Sequence, residues 1–186
     1  MGEDFYWRHP HVILSQTTTV DLGNDLLNAA CHHESSEVER LLKQGIDPNV
    51  RTEKLIGNPR SINFNKRLIK PHDLPGHTAL HYSLSYLNTV QLLLAHGADP
   101  NLANNLGQTP LHDAAFDQNI KSMKLLIQHS ADIDARDNCN QTPLQKASTL
   151  YYWPSLPTFC WCKLQAAAMR ILLESGAEMD EKSDNW

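Results

Sequence analysis

Thr109-Pro-Leu-His-Asp-Ala-Ala115 is the stretch that decides the fold, because the chain repeats it. The same pattern stands at Thr78-Ala-Leu-His-Tyr-Ser-Leu84 and Thr142-Pro-Leu-Gln-Lys-Ala-Ser148, and in weaker form at Asn24-Asp-Leu-Leu-Asn-Ala-Ala30. A second marker follows each copy: Gly45-Ile-Asp-Pro-Asn49, Gly97-Ala-Asp-Pro-Asn101, Ser130-Ala-Asp-Ile-Asp134 and Gly176-Ala-Glu-Met-Asp180. Asp99 to Asp132 and Thr109 to Thr142 are each 33 residues, while Ala29 to Ala114 and Asp47 to Asp132 are each 85. Two markers that keep register over four copies define an array of repeated supersecondary units.

The chemistry of one unit shows what it builds. Thr109 is suited to cap a short helix that starts at Pro110, where proline lacks only an amide that would be unpaired anyway, and that runs to about Asp117. Ile120, Met123, Leu126 and Ile127 then give a second helix one apolar stripe, repeated by Val38, Leu41 and Leu42 and by Met169, Leu172 and Leu173. Gly45, Gly97 and Gly176 fall just past these second helices, where a left-handed C-cap is usual, and Ser130 takes that place in the third unit at some cost. Asn104-Asn-Leu-Gly107 and Asp137-Asn-Cys-Asn140 read as projecting turns between units. A single unit cannot bury its own stripe, so stability must come from stacking.

The period and the Thr-Pro-Leu-His-x-Ala signature resemble the ankyrin repeat over roughly residues 22 to 180. The resemblance implies an all-α solenoid of helix-turn-helix units joined by projecting β-turns. The expected layout is an N-terminal extension over 1–20, a first, capping repeat over 21–50, a basic insertion over 51–72, and a second repeat over 73–103. A third repeat over 104–136, a fourth over 137–182 with an aromatic insertion at about 150–163, and a tail over 183–186 complete it. The first unit lacks the Thr-Pro pair, and Asp25 is the expected helix cap there.

Two units depart from the pattern. Thr78 to Gly97 spans 19 residues where Thr109 to Ser130 spans 21, which predicts a tighter turn between the two helices of the second unit. Asn49 to Thr78 takes 29 steps against 8 from Asn101 to Thr109, so about 21 residues are inserted at the first projecting turn. They carry Arg60, Lys66, Arg67 and Lys70 among six basic residues against Glu53 alone, a set suited to an acidic partner or to a solvated loop. The fourth unit is about 13 residues too long, and its excess includes Trp153, Phe159 and Trp161. These rings are expected either to fold over the end of the stack or to face a partner.

The family likeness implies that function lies on the concave surface. The candidate partner-binding positions are Leu74, His77, Asn104, Asn105, Leu106, Gln108, Arg136, Asn138 and Cys139 on the turns, and Tyr82, Asp113, Phe116 and Asp117 on the first helices. Leu106 and Phe116 stand out as apolar residues where the repeat leaves positions exposed, and such residues can anchor a partner. His81 and His112 occupy the position where the family uses imidazole to hold the neighbouring turn.

Composition narrows the function classes. A formal charge of -5 provides no basic field for nucleic acid, and 41% hydrophobic residues with a mean hydropathy of -0.44 fit a folded, soluble chain without a membrane span. The acidic Met1-Gly-Glu-Asp start does not read as a signal peptide, so Cys31, Cys139, Cys160 and Cys162 are expected as reduced thiols in an intracellular protein, cytoplasmic or nuclear. Cys31-His32-His33 and Cys160-x-Cys162 lack the spacing of common zinc sites, and no phosphate loop or nucleophile motif is present. The expectation is a monomer without catalysis or cofactor that binds a protein partner. The rival is the targeting portion of a longer enzyme.

Overall fold

The computed structural model describes residues 19–52, 76–149 and 158–179. They form eight helices in four pairs: α1 (Thr19–Cys31) with α2 (Ser35–Lys43), α3 (Ala79–Tyr82) with α4 (Leu87–Ala95), α5 (Pro110–Phe116) with α6 (Ile120–Gln128), and α7 (Pro143–Ser148) with α8 (Thr158–Glu174). First helices stack on first helices, α1 on α3, α3 on α5 and α5 on α7, and the second helices stack likewise from α2 through α8. Among the described residues there is no strand, only an isolated antiparallel bridge between Arg51 and Thr78.

One continuous core runs through the array because each unit contributes the same residues to it. Leu26, Leu80, Leu111 and Leu144 line it from the first helices, and Leu41, Leu93, Leu126 and Leu172 from the second. Each second-helix leucine is fully buried, worth roughly 2 kcal/mol of transfer free energy apiece. The second sequence marker has a linking role besides. Asn49 accepts from Asp99 N–H (2.8 Å) and donates to Gly97 O (3.2 Å), and Asn101 accepts from Asp132 N–H (2.7 Å) and donates to Ser130 O (3.1 Å). Asp134 continues the ladder by accepting from Glu178 N–H at 3.0 Å.

Three expectations need correction. Asp25 does not cap α1, since the helix starts at Thr19 and Asp25 lies in its middle; no proline marks a start at that point, and the helix extends past it. Gly23 lets α1 approach the next turn, because a Cβ there would lie 2.9 Å from Val50 Cγ1. In the second unit the turn is not tighter. The missing residues come out of the helix: α3 has 4 residues where α5 has 7. After α1 and α5 the chain reverses through a left-handed residue, His33 (φ 65°) or Gln118 (φ 55°), whereas the shorter second unit has no such residue and Ser83 closes α3 onto Leu80 O instead. Finally, the aromatic insertion is not all loop. Pro157 is its last proline, and from Thr158 the chain is helical, so Phe159 and Trp161 fall in the first turns of the 17-residue α8.

The left-handed positions follow the glycine pattern, with Gly45, Gly97 and Gly176 at φ 85°, 87° and 100° and Ser130 at 65°. A side chain there works against the backbone by about 1 kcal/mol. Ser130→Gly is therefore expected to stabilise the array by about that amount, read as a higher urea midpoint at unchanged slope. A lower midpoint would mean that Ser130 makes a compensating bond.

Candidate partner-binding groove

The capping chemistry of the first helices aims the candidate site. Thr109 N–H donates to His112 Nδ1 at 3.1 Å, so the ring proton sits on Nε2, which donates to Gln141 O of the next turn at 3.0 Å. Thr78 and His81 repeat the arrangement at 3.2 Å, with His81 Nε2 reaching Gln108 O at 3.1 Å. In the last unit Gln145 replaces the imidazole, and its Oε1 accepts from Thr142 N–H at 2.9 Å. Both nitrogens of both histidines are thus occupied in holding each turn against the helix behind it. Burial, the largest cause, pushes His81 down to about 4 and His112 below its ordinary value, so both are neutral at pH 7.

Between the turns and the first helices lies an open groove of about 710 Å³. Seven of the predicted residues line it: His77, Tyr82, Leu106, Gln108, Asp113, Phe116 and Asp117. Phe116 (40% exposed) and Leu106 (55%) form its apolar rim. His77 and Tyr82 belong to its floor rather than to a projecting surface, being buried with their rings stacked 5.5 Å apart. Asn104 corrects the expectation for the turn tips. It is buried because its Oδ1 accepts from Leu106 N–H (2.9 Å) and Gln108 N–H (3.0 Å), so it braces the turn from inside.

The remaining predicted residues lie elsewhere. Asn105, Arg136, Asn138 and Cys139 are exposed on the turns but do not line the groove. Asn138 joins adjacent tips, its N–H donating to Leu106 O and its Nδ2 to Asn105 O, both at 3.0 Å. Phe159 and Trp161 have their backbone in α8, and Arg60, Lys66, Arg67, Lys70, Leu74 and Trp153 fall outside the described residues. Where the basic insertion departs and returns, the chain is closed by Thr52 N–H to His77 O (2.9 Å) and Gly76 N–H to Thr52 O (3.1 Å).

The structure also brings in residues that sequence reasoning missed. Lys146 lines the groove and holds Asp137 at 2.8 Å; burial acts to raise the Asp137 carboxyl, but this lysine and two backbone N–H groups outweigh it and keep it below its ordinary value. The register held the signal, since Lys146 follows Thr142 by four as Asp113 follows Thr109, and Asp137 stands 33 residues after Asn104. His33 reaches the groove only because its left-handed backbone turns it onto Tyr86, where the rings stack.

Four stacked helix pairs whose first helices and turns border an open groove, with His81 and His112 committed to holding the turns, define a repeat scaffold that presents a surface. The ankyrin repeat family model, in copies of three, matches residues 12–137 and 87–183, and the chain belongs to that family. It is 35% identical over 92 residues to cyclin-dependent kinase 4 inhibitor B of Bos taurus, covering 49% of this chain and 55% of that protein. It is 30% identical over 95 residues to an ankyrin repeat protein of fowlpox virus, covering 51% of this chain and 10% of the viral one. The mitochondrial disaggregase of Bos taurus is 36% identical over 103 residues, 46% of this chain and 15% of that protein. The chain therefore spans from a tenth to about half of the length of these relatives. Among the described residues no helix is long and apolar enough to cross a membrane, and no cluster of potential metal ligands is found.

Proposed function

We propose that this chain is a non-catalytic adaptor that holds a partner protein in the groove between its turns and first helices. The observation that carries the reading is the pair of exposed apolar residues, Leu106 and Phe116, on the rim of a groove whose floor is fixed by buried hydrogen bonds. The absence of catalysis in this reading is supported by His81 and His112, whose ring nitrogens are engaged and whose burial disfavours taking up a proton near pH 7. Cys31 and Cys139 form no disulfide among the described residues, which fits an intracellular setting, cytoplasmic or nuclear. One relative is named as an inhibitor of a kinase and another comes from a virus, which is compatible with action by binding alone, including inside a host cell. A binding portion of a longer enzyme is the second reading, favoured by the match to 15% of a disaggregase.

Phe116→Ala tests the proposal against the partner recovered by affinity capture and mass spectrometry. Truncating a hot-spot anchor is expected to weaken binding by on the order of 2 kcal/mol while the melting midpoint stays nearly constant. Equal losses of binding and stability would place the ring in the core and remove the groove from the account.

A further inference from the structure

Each second helix receives the next unit on the same register positions, and the last unit leaves those positions open. Val38 and Leu42, Val90 and Leu94, and Met123 and Ile127 hold two of them in the first three units, and all but the half-buried Ile127 are buried. Met169 and Leu173 stand 46 residues after Met123 and Ile127, and Met179 follows Ile133 by the same interval. Met169 is half-buried, Leu173 is 40% exposed and Met179 is 75% exposed. α8 meets α6 through Ile171 and Ser175, which share a small cleft with Ile127 and Gln128, so Leu173 lies on the opposite side of α8. The other end of the array is closed with charge: Glu37 and Arg40 stand 85 residues before Ser122 and Leu125, whose helix bonds back to Leu84 O through Ser122, and they form an ion pair with each other. A unit that ends an array normally has such a polar outer face, and the last unit here does not.

The chain between α7 and α8 is too short to cover this face. Its nine steps from Thr149 to Thr158 extend to about 32 Å at most. They start beside Gln165, whose Nε2 donates to Ser148 O at 2.8 Å, so a path out to Leu173 and back to Thr158 takes about 12 Å and then about 22 Å along α8, which exceeds that reach. The first unit of a second copy does not suit the face either, since Glu37 and Arg40 would be buried against leucine and methionine. The last unit of a second copy does. Arg170 and Glu174 flank Leu173 on α8, both are exposed, and neither has an ion-pair partner among the described residues. When two α8 helices run antiparallel about a two-fold axis level with Leu172, Arg170 of each copy meets Glu174 of the other beside the two Leu173 side chains.

We infer that two copies of this chain associate through their last units, α8 against α8 in antiparallel, with Met169, Leu173 and Met179 as the apolar contact and two pairs of Arg170 with Glu174 at its rim. The contact uses the same surface of both copies, so it closes as a dimer and does not grow into a filament. It takes the place of the monomer expected from the sequence. α8 is a second helix, whereas the groove is bordered by first helices and turns, so the groove of each copy stays open. Two grooves at a fixed spacing raise the avidity for a partner that carries two matching segments. The dimer itself does not depend on what the groove binds.

The test is sedimentation velocity on the whole chain over a range of concentrations up to about 100 μM, well above the micromolar dissociation constants at which such a contact is expected to form. A dimer is expected. Arg170→Glu and Glu174→Arg, each confirmed as folded by its melting curve, should each weaken it about tenfold by setting like charges against one another, and the two changes together should restore it. Leu173→Ser should weaken it as well, while Glu37→Ala/Arg40→Ala should leave it intact. A chain that stays monomeric up to about 100 μM overturns the inference. So does a dimer that ignores Leu173→Ser, which would place the contact on another surface, or one that the double charge reversal fails to restore, which would rule out the antiparallel pairing. Loss of the dimer in Glu37→Ala/Arg40→Ala would show first units meeting last units and overturn it too.

Discussion

Acidifying the protein from about pH 6.5 to about pH 4 is expected to remove roughly 3 kcal/mol of stability through His81 alone, since burial holds its folded-state value at about 4. The unfolded chain takes up its proton near the ordinary value of 6.5, while the folded chain resists because Nδ1 must keep accepting from Thr78 N–H. The stabilisation is therefore complete above pH 6.5, falls as the pH drops toward 4, and does not fall further below that. His112 acts in the same direction, its value also lowered by burial. Asp117 opposes it at the acid end, because a carboxyl held above its ordinary value gains by protonation, whereas Asp137 is held below its ordinary value and gives way later. A domain stable by 5–15 kcal/mol would feel such a loss strongly. Urea unfolding at a series of pH values checks it, with His81→Gln as the reference, since Gln145 serves the same place in the last unit. An identical pH dependence in the two chains would remove His81 as the cause.

Gly107→Ala is expected to destabilise the array by about 3 kcal/mol, combining left-handed strain with overpacking at a contact that cannot yield. Gly107 has φ 76°, and a Cβ there would lie 2.5 Å from Asn138 Oδ1 and 2.7 Å from its backbone nitrogen. That nitrogen is pinned by its bond to Leu106 O, so the next turn cannot retreat without losing tip-to-tip stacking. The control is Asn140→Gly: Asn140, at φ 60°, occupies the matching place one unit on, and the change should relieve strain rather than add it. Chemical denaturation of both variants decides the matter. A loss below about 1 kcal/mol for Gly107→Ala would mean that the turn shifts freely and that adjacent tips do not support one another. Because Leu106 sits on the strained turn, the substitution should also disturb the groove rim.

The array was legible because a repeat states its own physics several times over. Thr109 with His112, Leu41 with Leu93 and Leu126, and Gly97 with Gly45 and Gly176 recur at positions that only stacked helix pairs explain, and local capping rules read the last three units without their neighbours. Phe116, Leu106, Asp113 and Asp117 were legible for the same reason, since register alone places them outside the stack. The burial of Asn104, the pairing of Lys146 with Asp137 and the approach of His33 to Tyr86 were not. The first two depend on how a projecting turn folds back on its own unit and the third on where one unit lies relative to the next, and helix propensity carries no information about either.

The sequence by itself determined the number of units, their helical character, the capping threonines of the last three units and the core leucines, because each follows from periodicity or from bonds that span three or four residues. Only the tertiary structure decided which polar groups close inward and which remain exposed. Asn104 and Asn105 are adjacent and identical, yet one is buried under two backbone N–H groups and the other exposed on the turn. The same holds for His81 and His77, one with both nitrogens bonded and the other with Nδ1 left over. What separates the two histidines is the neighbouring unit, which supplies a carbonyl to His81 through Gln108 and none to Nδ1 of His77 among the described residues.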